Sequence, residues 1–190
     1  MHSNSALCLL VPEIVFLLCA LKLCYPNTFY LIRGNHECRL LTAHFTFLRE
    51  TQKKYRSQRL YDEVMLLFDA LPLGVIIEDE ESRFLCVHGG LSPDIATIDD
   101  ISAIDRFQEP GKSGPLCDLL WSDPLEEDTA QGLTASDMQE WYDVRYEENA
   151  SRGCGWIFGY AAAKEFIDKN NLTAIIRAHE VQRAGYGLNK

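Results

Sequence analysis

No CxxC pair occurs in this chain. Its seven cysteines, Cys8, Cys19, Cys24, Cys38, Cys86, Cys117 and Cys154, are odd in number and scattered. That pattern argues against a disulfide framework and fits reduced thiols in a cytoplasmic, or also nuclear, protein. The sequons at Asn149 and Asn171 are therefore read as chance. Basic residues are scarce: Lys and Arg number 18 against 28 Asp and Glu, a net charge of −10. An electrostatic nucleic-acid binder carries the opposite balance, so no nucleic-acid partner is expected. A local basic strip stays open, because Arg33, Arg152 and Arg177 lie beside the motifs below. The excess acid is uneven, with eight acids and one base, Arg145, between Leu125 and Ser151.

Long uninterrupted apolar runs are also missing. The most apolar stretch, Ala6 to Cys24, is broken by Pro12, Glu13 and Lys22. No basic segment precedes it and no small-residue cleavage site follows. It reads as a buried helix from about Pro12 to Cys24 with proline in its first turn, and no membrane partner is expected. Repeats, low-complexity tracts and linkers are absent. Gly111-Lys112-Ser113 resembles the end of a P-loop, but Arg106 stands where that loop requires glycine, so it is discarded.

What is present suits a globular fold. The 190 residues suffice for a single domain with a real core, and the apolar fraction of 47% and charged fraction of 24% are ordinary. The chain is organised around Phe29 to Glu37. The apolar run Phe29-Tyr30-Leu31-Ile32 suits a buried strand, and Arg33-Gly34-Asn35-His36-Glu37 ends it in a turn. Two more apolar runs end the same way. Arg83 to Val87 runs into His88-Gly89-Gly90, and Leu172 to Ile176 runs into Arg177-Ala178-His179-Glu180. Open α/β sheets place their chemistry at such strand ends. Imidazole nitrogen with amide or carboxylate oxygen suits a divalent metal such as Zn²⁺ or Fe²⁺.

Between these runs the spacing predicts a helix over Arg39 to Lys54, with Leu40, Leu41, Phe45 and Leu48 on one face and His44 structural or partly exposed. Ser57 caps a second helix, Gln58 to Ala70, with the stripe Leu60, Tyr61, Val64, Met65 and Phe68. Leu73 to Ile77 and Arg83 to Val87 read as a hairpin around the acidic turn 78–82. A short helix runs from Asp99-Asp100 to Arg106, and Glu109 to Gly114 is a loop. Trp121-Ser122-Asp123-Pro124 closes a further apolar segment. Ser136 is a candidate cap for a helix reaching Val144 or Arg145. Arg152-Gly153-Cys154-Gly155 is a loop that can present a guanidinium. Ala161 to Lys169 is helical and ends at Asn170-Asn171.

The chemistry follows from these placements. Asn35, His88 and His179 would supply one oxygen and two nitrogens to a metal that orients phosphate and acidifies water. His36 could protonate a leaving alkoxide, and Arg152 could fork two phosphate oxygens. For Arg152 an ordinary surface salt bridge is the competing reading.

The motifs LIRGNHE, LCVHGGLSP (Leu85 to Pro93), LLWSDP (Leu119 to Pro124), RGCG and IIRAHE (Ile175 to Glu180), in this order, resemble the metal-dependent serine/threonine phosphoprotein phosphatases. Within that family the chain most resembles the calcineurin catalytic subunit, over about Glu13 to Tyr186. The stretches Asp105 to Asp128 and Lys169 to Tyr186 carry the distinction. The resemblance implies an α/β fold, a central β-sandwich flanked by helices of the metallophosphoesterase kind, with residues 1–190 forming one partial catalytic domain. It implies metal-assisted hydrolysis of phosphoserine and phosphothreonine in proteins, with Fe and Zn, or Mn, as divalent cofactors. Carried over, Asn35, His88 and His179 bind one metal, His36 donates the proton and Arg152 holds phosphate. The partners implied are phosphoprotein substrates, and in a longer form a calcineurin-type regulatory subunit and calmodulin.

The family's GDxHG and GDxxDRG motifs, which carry the other metal's ligands, are not found in the sequence. The expectation is therefore that the chain alone binds at most one divalent ion, weakly, and hydrolyses phosphoprotein poorly. Three readings stand. The first is a calcineurin-like protein phosphatase. The second is a non-catalytic pseudophosphatase binding phosphoproteins or regulatory subunits, and the third is a metallophosphoesterase acting on small molecules.

Overall fold

The computed structural model describes residues 11–126 and 134–188. In chain order its elements are α1 (Val11–Cys24), α2 (Arg39–His44), α3 (Phe47–Tyr55), α4 (Gln58–Ala70), β1 (Gly74–Glu78), β2 (Arg83–Val87), α5 (Ile98–Ala103), α6 (Pro115–Trp121), β3 (Asp123–Pro124), α7 (Ala135–Asp143), β4 (Tyr146–Glu148), β5 (Trp156–Phe158), α8 (Tyr160–Lys169) and β6 (Ala174–Arg177). The residues cluster into two compact units. Among the described residues, one comprises 11–72 with 106–109, and the other 73–105 with 110–126 and 134–188. No described helix is long and apolar enough to cross a membrane.

The first unit is helical. Its core is Phe47, Tyr61, Val64, Met65 and Phe68, with Val11, Val15, Phe16, Leu48 and Leu71 packed against it. The stripe expected on α4 therefore faces inward. The Ser57 hydroxyl accepts from the Leu60 amide at 3.1 Å, capping α4. Ser57→Ala should cost about 1 kcal/mol, read as a lower denaturant midpoint at unchanged slope.

Three expectations fail in this unit. The Phe29–Ile32 run is not a strand. A strand needs a neighbour to take its alternating amides and carbonyls. Here the Phe29 carbonyl takes the Lys22 ammonium at 3.0 Å, and the Arg33 amide goes to the Pro72 carbonyl at 2.8 Å. The helix expected over Arg39–Lys54 is two helices, broken where Thr46 adopts the left-handed region (φ 81°). That break rotates the buried face: Thr42, Phe47, Glu50 and Thr51 turn inward, and Leu40 and Phe45 are exposed. His44 is exposed, within the range expected of it. The helix expected at Pro12–Cys24 forms but is not buried. It meets α3 along one side through Phe16 on Tyr55 and Glu13 on Lys54, while Ile14, Leu17 and Leu23 are exposed.

The second unit holds two three-stranded sheets, ordered β1-β2-β6 and β3-β5-β4. The expected hairpin forms: β1 and β2 are antiparallel, Gly74 opposite Val87 and Glu78 opposite Arg83. Strand β6 adds to β2 in parallel, with Val87 opposite Arg177. In the second sheet β5 pairs β3 in parallel and β4 antiparallel. Leu85 and Val87 of one sheet and Phe158 of the other share one buried cluster with Leu91, Leu119, Leu120 and Phe166. This is the mixed α/β, two-sheet arrangement that the family resemblance implies. Helix α5 starts at a capping box between Thr97 and Asp100, one residue before the expected acidic pair, and stops at Ala103 instead of Arg106. Helix α7 starts at Ala135, ahead of the proposed cap Ser136, whose side chain lies outside the described residues. Helix α8 ends at Lys169, and Asn171 follows in the left-handed region (φ 51°).

Candidate functional site

The parallel pairing of β2 and β6 decides the site. Val87 and Arg177 are partners, so the residues that follow them leave the sheet at the same edge. The Ala178 amide donates to the His88 carbonyl at 3.1 Å, carrying the pairing one step further. His179 then takes the left-handed conformation (φ 66°), uncommon for a residue with a side chain and recurrent at functional sites. The two rings meet there. His88 Nε2 lies 3.2 Å from His179 Nδ1, and the ring centroids are 5.0 Å apart. Trp121 stands edge-on to the His179 ring at 5.6 Å.

Gly89 and Gly90 follow His88 because nothing larger fits. A Cβ on Gly89 would sit 2.6 Å from the Leu120 carbonyl carbon, and one on Gly90 would sit 2.1 Å from the Phe158 ring. The His88 loop therefore lies directly against the backbone of α6. The chain leaves α6 through Ser122 into Asp123, which sequence reasoning left without a role. Asp123 is buried. Its Oδ2 accepts from Arg152 Nε at 2.9 Å and Asn149 Nδ2 at 3.0 Å, and its Oδ1 from Arg177 Nη2 at 2.8 Å. His179 Nε2 is 4.0 Å from Oδ1. Burial pushes this carboxyl up. Hydrogen bonds from Arg152 and Asn149 and the Arg152 and Arg177 charges outweigh burial and hold it below the usual carboxylate range.

Arg152 sits as expected on a glycine-rich loop, with Gly153 and Gly155 both at positive φ. It is paired with the buried Asp123, and that bond raises its pKa. Its Nη2 is only loosely engaged, 3.5 Å from Asp123 Oδ1. The guanidinium is thus aimed by one edge while about a third of the side chain stays exposed. Asn35 and His36 belong to the first unit. Asn35 is buried and accepts at its backbone carbonyl from the Cys38 thiol at 3.4 Å. His36 is exposed beside the Phe45 ring, with centroids 4.9 Å apart. Arg33 holds this turn. Fully buried, it donates to the carbonyls of Glu37 and Arg106 and to Asp69 at 3.0, 2.6 and 3.1 Å. Glu37 accepts from the Gly34 amide at 2.9 Å, and burial pushes its carboxyl up.

Among the described residues, the three arginines of the basic strip left open by the sequence are each paired with a carboxylate, and Arg152 keeps one edge exposed. Arg33 is spent on Asp69, and Arg152 and Arg177 on Asp123.

The histidine pair fits a divalent cation. Two imidazole nitrogens each about 2.0–2.1 Å from one ion lie about 3.3 Å apart at a tetrahedral angle. The observed separation of 3.2 Å matches. Among the described residues no group of three His, Cys, Asp or Glu side chains is arranged to hold a metal.

The profile of the family described as calcineurin-like phosphoesterase matches residues 7–183. The chain belongs to the calcineurin-like phosphoesterase family. It is 40% identical, over 94% of its length, to serine/threonine-protein phosphatase 2B catalytic subunit A1 of Saccharomyces cerevisiae, and covers 31% of that protein. It is 42% identical, over 92% of its length, to the serine/threonine-protein phosphatase 4 catalytic subunit of Candida glabrata, and covers 50% of that protein. A solved serine/threonine phosphatase from Saccharomyces cerevisiae, with similarity to human phosphatase PP5, superposes with a TM-score of 0.73 at 32% identity. The superposition covers 90% of this chain and 47% of that one. The chain thus spans between about a third and a half of the curated relatives it matches. The phosphoesterase fold expected from the motifs is the fold found, and the family implies divalent metal cofactors.

Proposed function

We propose that this phosphoesterase chain serves a serine/threonine protein phosphatase that hydrolyses phosphoserine and phosphothreonine in proteins. One observation carries the reading. The parallel strands β2 and β6 deliver two imidazole nitrogens 3.2 Å apart, and the Asp123 carboxylate links that corner to Arg152. In this reading His88 and His179 hold a divalent cation, Fe, Zn or Mn. A cation there would draw charge from phosphate oxygens and acidify water. Arg152 binds the phosphate through its exposed edge while Asp123 fixes its orientation. Asn35 as an oxygen ligand and His36 as proton donor to the seryl or threonyl oxygen rest on the family resemblance. Phosphoproteins are the substrates. A regulatory subunit is part of the same reading, because several relatives are named catalytic subunits. So is a cytoplasmic setting, supported by cysteines that are free thiols at all six described positions.

The test is turnover of a phosphoserine peptide and of a nucleotide by the purified chain with Mn²⁺. Phosphopeptide hydrolysis should fall by about 10²-fold or more in His36→Ala, the usual worth of a general acid. Hydrolysis of the nucleotide alone would replace this reading with a small-molecule esterase. Phosphopeptide binding without turnover would replace it with a pseudophosphatase.

A further inference from the structure

We infer that Arg177 is the positioning residue that sets the spacing of the His88–His179 pair and couples it to Arg152. The inference rests on the proposed function, since it takes the imidazole pair to be a cation site. One guanidinium reaches every loop that builds the corner. Nε donates to the Gly89 carbonyl at 2.5 Å, next to His88. Nη2 donates to the Ser122 carbonyl at 3.2 Å and to Asp123 Oδ1 at 2.8 Å, on the segment leaving α6. Nη1 pairs with the Glu180 carboxylate, next to His179. Asp123 passes the link on, because its other oxygen holds Arg152 and Asn149.

In the sequence this arginine stands out only as a charge beside a histidine motif, at the end of an apolar strand. Its largely covered side chain, 13% exposed, and its four partners distinguish it. A lysine cannot reproduce the arrangement. Its ammonium is a compact point charge, whereas the guanidinium is a rigid planar fork. Partners that orient metal ligands typically carry about 10–100-fold in metal affinity. Beside the histidines, Arg177 binds the Gly89 carbonyl and the Glu180 carboxylate. Its influence runs through the two residues that follow the histidines.

The test titrates the purified chain with Co²⁺, following visible absorption, and records the imidazole ¹⁵N signals without metal. Four proteins are compared: wild type, His88→Ala, Arg177→Lys and Arg83→Lys. Arg83 is a control of the same kind, an arginine on the same sheet whose Nη1 binds the Asn170 carbonyl at 2.6 Å. Wild type should show a Co²⁺ band that His88→Ala abolishes. Arg177→Lys should weaken Co²⁺ by about tenfold or more and shift the band, while Arg83→Lys leaves both unchanged. Arg177→Lys should also move the apo ¹⁵N signals of His88 and His179. Wild-type affinity, band and ¹⁵N signals in Arg177→Lys would overturn the inference. Absence of any His88-dependent band in wild type would defeat the cation reading instead. The apo ¹⁵N comparison would then decide Arg177 alone, with unchanged signals counting against it. If Arg177→Lys does not fold, Glu180→Gln replaces it, and an unchanged Co²⁺ affinity and ¹⁵N spectrum would overturn the inference.

Discussion

Replacing Asp123 by alanine should lower stability by about 3–5 kcal/mol, the typical cost of removing one partner from a buried ion pair. The size follows from what is left behind. Arg177 would keep its charge with only Glu180 opposite it, and Arg152 and Asn149 would lose their shared acceptor. Asp123→Asn should cost less, because an amide oxygen still accepts. The pH dependence has a definite sign. The folded pKa of Asp123 lies below its ordinary value near 3.9, so the carboxylate contributes stability above that value. The contribution is lost as pH falls through the lower folded value. The gap between wild type and Asp123→Asn should therefore be constant near neutrality and close below about pH 4. Urea midpoints from pH 7 to pH 3 measure this. A gap that widens towards acid would contradict the assignment.

Gly89→Ala should also be damaging, for a steric reason. The new methyl would lie 2.6 to 2.8 Å from three backbone atoms of Leu119, Leu120 and Trp121. Backbone cannot swing aside as a side-chain end can, so the His88 loop must move. Overpacking of this kind costs about 1–3 kcal/mol and sometimes more. The movement would also break the Gly89 amide bond to the Leu119 carbonyl at 2.9 Å and the Arg177 contact to the Gly89 carbonyl. Gly111→Ala is the control. A Cβ there meets only the Ser113 backbone, at 3.4 Å or more, so its midpoint should stay near wild type. Thermal or urea unfolding of the two variants side by side makes the comparison.

The strands that matter were legible because apolar runs of the right length end at histidines. Arg83–Val87 and the run into Arg177 had no other reading consistent with a buried strand, and their termination placed His88 and His179. Nothing local announced that they would pair in parallel, and that pairing is what makes the rings meet. The second sheet was not legible. Its strands are two or three residues long, too short for alternation to register. Phe29–Ile32 misled because hydrophobicity alone does not supply a pairing partner. The break at Thr46 misled because nothing in Phe45-Thr46-Phe47 marks a left-handed residue. The pairing of Asp123 with Arg177 was hidden for a related reason. Each is a lone charge at the end of an apolar segment, and only three-dimensional proximity shows that they neutralise each other. The signal that could have found Asp123 was its place in LLWSDP, a carboxylate directly after a buried run and locked by proline.

The most direct measurement is an anomalous difference map from crystals of the chain grown with Mn²⁺. A peak within coordination distance of both His88 Nε2 and His179 Nδ1 is the result expected. Ordered Mn²⁺ located elsewhere, with the two rings still in mutual contact as a hydrogen-bonded pair, would show that they were never built to share an ion.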